Sequence, residues 1–202
     1  MSTRPTIRAS ERSGDAVRRR TRRVLIGIFA PVAAAVLIIG VALTWWAGYF
    51  DSVVLTERTM GPYHLLYREH RGPYEGIRFA MRDVFLYYRR LYGEAPARGF
   101  SIYYDDPANI EADSLRSIAG VLTDSLLTDP KEPYRSRTVP AHHALVGTFP
   151  LRSPFSYMIG VLKFGDVLEE YLEETEREPQ GPTMEIYDLE DRVIRYVVPI
   201  ED

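Results

Sequence analysis

Residues 63–104 read YHLLYREHRGPYEGIRFAMRDVFLYYRRLYGEAPARGFSIYY. Three elements and their punctuation are visible in that stretch. Tyr63 to His70 is a strand candidate. Arg71-Gly72-Pro73-Tyr74 turns the chain into a helix, in which Ile77, Met81, Val84, Phe85, Tyr88 and Leu91 recur on one face. Gly93 ends the helix and Pro96 follows it. Phe100 to Tyr104 is rich in β-forming residues and is stopped by Asp105-Asp106-Pro107. Leu115 to Leu122 is a further strand candidate, with Gly120 inside it.

The same order recurs downstream. Thr128 to Ala141 carries Pro130, Pro133 and Pro140 and reads as a connection. Ala141 to Phe149 is a strand candidate. Arg152-Ser153-Pro154-Phe155 then opens a helix, 81 positions after Arg71-Gly72-Pro73-Tyr74 opens the first. Ile159, Leu162, Leu168, Tyr171 and Leu172 are its apolar positions, and Gly165 is a weak point. Glu169, Glu170, Glu173, Glu174 and Glu176 are its solvated face. Met184 to Asp188 and Val193 to Ile200 are the last two strands. Each half is therefore strand, helix, strand, strand. The expected fold class is α+β, with two pseudosymmetric repeats forming an antiparallel sheet with one long helix from each half. The halves cover about 63–127 and 141–202, joined by 128–140.

Outward from this domain the character of the chain changes. Residues 1–23 hold eight arginines against Glu11 and Asp15, whereas the remaining 17 basic residues face 26 acidic ones. Between head and body, Val24 to Trp46 runs for 23 residues without a charge. As a helix it would cover roughly 35 Å, enough to cross a hydrocarbon core of about 30 Å. Arg18, Arg19, Arg20, Arg22 and Arg23 flank one end, and Trp45, Trp46, Tyr49 and Phe50 form an aromatic belt at the other. The expectation is one transmembrane helix over 24–46, after a basic disordered head (1–23) and before a connector (47–62) leading to the domain at 63–202. The positive-inside rule puts the N-terminus in the cytoplasm and the domain on the periplasmic or extracellular side. A cleaved signal peptide is the alternative, but its apolar region normally spans about 7–15 residues.

The 202-residue chain has no cysteine, which excludes a disulfide scaffold, a thiolate zinc site and a cysteine nucleophile. A basic head on an acidic body is not the charge pattern of a nucleic-acid-binding domain, so no nucleic-acid partner is expected. There is no Gly-rich phosphate loop, nucleophile elbow or His-Glu zinc helix. Asp105-Asp106-Pro107 reads as turn chemistry rather than a metal site. His142 and His143 point to opposite faces of a strand and cannot chelate one ion together. No metal or cofactor is expected.

Several pieces, in order, resemble the gyrase-inhibitory-protein-like (effector-binding, SOUL-related) superfamily. They are His70-Arg71-Gly72-Pro73-Tyr74, Ile102-Tyr103-Tyr104-Asp105-Asp106-Pro107, Leu115-Arg116-Ser117, Glu185-Ile186-Tyr187 and Tyr196-Val197-Val198-Pro199-Ile200. The layout resembles the membrane-anchored branch that contains the testis-expressed ER-phagy receptor. The sequence departs from that branch in ending at Asp202 without its long tail and in the orientation its arginines predict, so the autophagy role is not carried over. The resemblance implies a ligand cleft between the two halves, lined by aromatics and an acidic residue, that takes hydrophobic or cationic small molecules.

Glu185 is the candidate acid. It lies two positions from Tyr187, so both side chains leave the same face of a strand. A carboxylate on an apolar, aromatic strand is costly to bury unpaired, and its proton affinity rises unless a cation compensates. A lipophilic cation would supply that charge, and tyrosine faces would add cation–π attraction of about 0.5–2 kcal/mol each. The alternative is that Glu185 faces solvent or is satisfied by Arg116 or Arg195. Tyr104, Tyr187 and Tyr196 are candidate cleft walls, and Tyr67 and Phe149 complete the ligand-binding set. Tyr104 shares a face with Phe100 and Ile102, and Tyr196 with Ile194 and Val198. Two other functions compete with ligand binding. One is a small-molecule hydrolase using Glu185 as general base. The other is a protein-interaction scaffold at the membrane. No catalytic residue is assigned.

Overall fold

The computed structural model describes residue 29 and residues 31–201. The chain divides after Trp46 into two compact units. In the first, α1 is helical at residues 29 and 31–46, and its described side chains are exposed. Among the described residues no helix is long and apolar enough to cross a membrane. The head at 1–23, and residues 24–28 and 30 of the expected span, lie outside the described residues.

The second unit runs β1 (Val54–Met60), β2 (Tyr63–Arg71), α2 (Ile77–Tyr92), β3 (Arg98–Tyr103), β4 (Arg116–Thr123), β5 (Arg135–Val139), β6 (His142–Pro150), α3 (Ser156–Thr175), β7 (Met184–Asp188) and β8 (Val193–Pro199). All eight strands form one antiparallel sheet in the order β1-β6-β8-β7-β3-β4-β2-β5. The fold is α+β, as expected. Two strands correct the sequence reading: the connector at 47–62 contains β1, and the linker at 128–140 contains β5. Both are edge strands with mostly exposed side chains. They are held by backbone pairing to β6 and to β2, so neither carries the alternating apolar pattern that marks a half-buried strand.

The side chains of β3 show how the sheet sorts its faces. Phe100 and Ile102 enter a core built only from strand residues, among them Leu65, Tyr67, Ile118, Val146, Met184, Ile186 and Val197. Among the described residues no helix side chain joins that core. Ser101 and Tyr103 leave the opposite face, under the helices. There α2 packs on β2, β3 and β4, and α3 packs on β6 and β8. Gly93 caps α2 with a left-handed φ of 77°, its N–H donating to the Arg89 carbonyl. In α3, Leu162 is 63% exposed, against expectation, whereas Phe164 is 4% exposed. Phe164 stacks on Tyr196 with ring centres 4.4 Å apart, and that contact sets the rotation of the helix.

Candidate functional site

Strands β3 and β7 meet at the middle of the sheet, between the footprints of the two helices. Their register sets Ser101 opposite Glu185 and Gly99 opposite Tyr187. A cavity of about 440 Å³ lies over this seam. Met81 and Phe85 of α2, Tyr157 of α3 and Leu189 supply most of its wall, and Ser101 and Tyr187 line its floor. The Tyr157 ring meets the Tyr187 ring edge-on at 5.4 Å. Arg78 and Arg82 also line the cavity, but both are exposed and their guanidinium groups rest over the Phe79 ring on α2. They mark its mouth.

A short hydrogen-bond chain runs beneath the cavity. The Tyr187 hydroxyl donates to Glu185 Oε2 at 2.5 Å, and Ser101 Oγ lies 3.1 Å from the same hydroxyl. Because Tyr187 gives its proton to the carboxylate, Ser101 is the donor to Tyr187. Glu185 is 8% exposed. Burial raises its proton affinity, and the Tyr187 hydrogen bond offsets this only in part. Tyr187 is pushed up by burial and then by the Glu185 charge. Tyr103 is pushed up to about 12 by the same two causes in the same order.

Neither arginine considered as a partner for Glu185 reaches it. Arg116 pairs with Asp105 at 2.7 Å, and Arg195 pairs with Asp188 and Asp191. Among the described residues no cation forms an ion pair with Glu185. The carboxyl is therefore buried, hydrogen-bonded to the neutral Tyr187 hydroxyl, and uncompensated in charge among the described residues.

The six sequence candidates separate into three groups. Glu185 and Tyr187 come together, and Tyr187 lines the cavity. Tyr196 stands opposite Glu185 in the β7–β8 register, but its ring, like that of Phe149, packs under α3, and both are essentially unexposed. Tyr104 and Tyr67 belong to the opposite face, with the strand-only core. The parity of FSIYY already placed Tyr104 with Phe100 and Ile102. What the sequence withheld was that Glu185 faces the other way. Ser101 and Tyr157 were not singled out from sequence. Ser101 is a lone hydroxyl in an apolar strand, and that is the signal that could have found it.

Asp105 and Asp106 serve the turn. Asp105 accepts from the Arg116 backbone N–H and guanidinium, and Asp106 accepts from Ala108 N and Asn109 Nδ2. Among the described residues no group of three or more histidines and carboxylates is placed to hold a metal ion.

Tyr196 supports a stability prediction. Its hydroxyl is buried without a hydrogen-bond partner among the described residues, and a Cβ at Gly160 would lie 2.5 Å from it. Leaving a buried polar group unpaired costs about 1–3 kcal/mol. Tyr196→Phe removes that group and keeps the stack on Phe164. The expected result is a domain stabilised by about 1 kcal/mol in urea unfolding. A loss of more than about 1 kcal/mol would show that the hydroxyl is satisfied.

No family model matches the chain, and no curated protein matches it in sequence. Solved structures do match in fold. The C-terminal domain of EcmrR is 9% identical with a TM-score of 0.56, covering 74% of this chain and 98% of that one. An uncharacterized conserved protein from Listeria innocua is 9% identical with a TM-score of 0.53, covering 76% and 95%. A hydrolase from Listeria innocua is 9% identical with a TM-score of 0.51, covering 76% and 94%. These are likenesses in architecture. They reach the fold alone and do not extend to the membrane-anchored branch.

Proposed function

We propose that this chain is a membrane-anchored small-molecule-binding protein that takes hydrophobic or cationic ligands in the cavity over Ser101, Glu185 and Tyr187. One observation carries the reading: a buried carboxyl with no ion-pair partner among the described residues is hydrogen-bonded to Tyr187, which lines an apolar, aromatic cavity of about 440 Å³. That volume is in the range of small-molecule sites, which are mostly apolar with a few placed polar groups. An aromatic cation would bring the missing charge to Glu185 and its face to Tyr157 and Tyr187. The decisive experiment compares aromatic quaternary ammonium cations with their neutral isosteres on wild type and Glu185→Gln. Binding that ignores both the ligand charge and the substitution would sink the reading.

The two pseudosymmetric halves and the cleft between them form part of the proposal. They are supported by the sheet order, in which β6-β8-β7 on one side of the β7–β3 seam answers β2-β4-β3 on the other. So does the anchor, through Val24–Trp46. It is supported by the 23-residue uncharged run, the arginines before it and the exposed apolar side chains on α1. The orientation that follows puts the N-terminus in the cytoplasm and the domain on the periplasmic or extracellular side, as in a bacterial envelope protein. In membrane preparations of the intact chain, protease added outside should digest the domain and leave the head. A domain protected until the bilayer is permeabilised would reverse the orientation. The acidic balance of the body is the reason nucleic acid is left out of the proposed partners.

The hydrolase reading retains one favourable observation. A carboxyl of raised proton affinity, hydrogen-bonded to a tyrosine below a cavity, has the make-up of a general acid–base pair. Turnover of a bound ester or ether that disappears in Glu185→Gln, with folding intact, would move the function from binding to catalysis.

A further inference from the structure

A second cavity, of about 470 Å³, opens on the sheet face opposite Glu185. Tyr67 and Ile118, members of the strand-only core, contribute to it, and Tyr104 lies beside them. It is the more highly charged of the two cavities. Arg71, Arg116 and Arg137 line it, with Glu69 as the acidic residue. The Glu69 carboxylate is taken by Arg135 at 2.9 Å, and Arg116 is held by Asp105 at 2.7 Å. Arg71 and Arg137 have no carboxylate partner among the described residues.

Arg137 is fixed in place without being neutralised. Its Nη2 donates to the Tyr104 hydroxyl at 2.8 Å, and its guanidinium lies 5.5 Å from the centre of the Tyr67 ring. Both contacts are to neutral groups, and most of its five N–H donors stay free. A guanidinium that is oriented, unpaired and set over an aromatic ring matches a planar oxyanion in shape and charge.

We infer that this cavity is a second binding site, for a carboxylate or phosphate group carried on an apolar or aromatic body. Arg137 and Arg71 take the anion, and Tyr67, Tyr104 and Ile118 receive the body. The site is independent of the cavity beside Glu185: the two use opposite faces of the sheet and share no lining residue.

The test uses the full chain in detergent, with benzoate, inorganic phosphate and short-chain phosphatidylglycerol as probes, each against chloride at equal ionic strength. The arginine-rich head is common to every variant, so only differences between variants count. At least one probe should bind wild type and Glu185→Gln alike and lose at least tenfold in affinity in Arg137→Gln. Arg71→Gln, an exposed side chain without a packing role, should show a loss in the same direction and guards against misfolding of the first variant. Loss confined to phosphatidylglycerol would assign the anion to a lipid headgroup, and loss with benzoate or phosphate would assign it to a free ligand. Equal affinity across all variants for every probe, or no binding beyond chloride, would overturn the inference.

Discussion

Glu185→Gln is expected to weaken the binding of an aromatic cation about thirtyfold while leaving its neutral isostere within about twofold. Removing one member of a buried charge pair costs about 2 kcal/mol or more, and each 1.4 kcal/mol is about tenfold in affinity. Shape and apolar contact with Met81, Phe85 and Tyr157 are untouched by the substitution, so a neutral ligand has no reason to respond. A calorimetric titration of both ligands on both proteins measures the difference of differences, which isolates the charge.

The same substitution should raise the stability of the unliganded domain, and the pH dependence identifies the cause. Burial makes the Glu185 carboxyl hold its proton more tightly in the folded state than its ordinary value near 4.5. A group of that kind contributes stability that is fully present below its unfolded-state pKa and is lost as pH rises through the folded-state pKa. Glutamine has no such loss. Wild type and variant should melt together below about pH 4.5 and diverge above it, with the variant higher. Each kcal/mol corresponds to about 2–4 °C in a domain of this size. Other carboxylates titrate alike in both proteins and cancel: Asp105 is held below the usual range by Arg116, and Asp188 is held there against its burial by the Asp191 backbone N–H and then Arg195. A variant less stable than wild type at neutral pH would mean that Glu185 is compensated in the folded state.

Gly120→Ala should cost about 3–5 kcal/mol, a large share of the 5–15 kcal/mol typical of a domain. A Cβ at Gly120 would fall on the Leu66 carbonyl oxygen and lie 2.7 Å from Tyr67 Cα. Both obstacles are backbone of the neighbouring strand, so no rotamer change relieves them. Gly120 pairs with Tyr67 and with Phe100, and the β2 backbone approaches β4 closely at that point. Displacing it would disturb Leu66 and the strand-only core together. Gly165→Ala is the matched control. It sits in α3 with nothing within 4 Å of its Cβ, and alanine there should stabilise by about 0.5–1 kcal/mol. Comparable urea midpoints for the two variants would refute the close-approach account.

Much of the architecture was legible before any coordinates. The helical spacing from Ile77 to Leu91 located α2, and its Gly93 cap is where the sequence placed it. Six of the eight strands fall where apolar or β-rich runs predicted them, because each has at least one face in a core. β1 and β5 were invisible for the complementary reason. Most of their residues are exposed, and what orders them is chiefly hydrogen bonding to strands distant in sequence.

At the site the division is sharper. The i, i+2 spacing by itself put Glu185 and Tyr187 on one face, and parity joined Tyr104 to Phe100 and Tyr196 to Ile194. Strand parity, however, is silent on which side of the sheet a face becomes and on which strand lies next to it. Only the pairing of β3 with β7 put Ser101 beside the pair, and only the packing of α2 and α3 on that side left a cavity above it. Tyr67 and Tyr104 fall on the opposite face, where the pairing of β5 with β2 brings Arg137 to them. Local periodicity is a property of a few consecutive residues and can be read from them. A site is a property of which distant segments become neighbours, and that is decided by the balance of burial over the whole sheet.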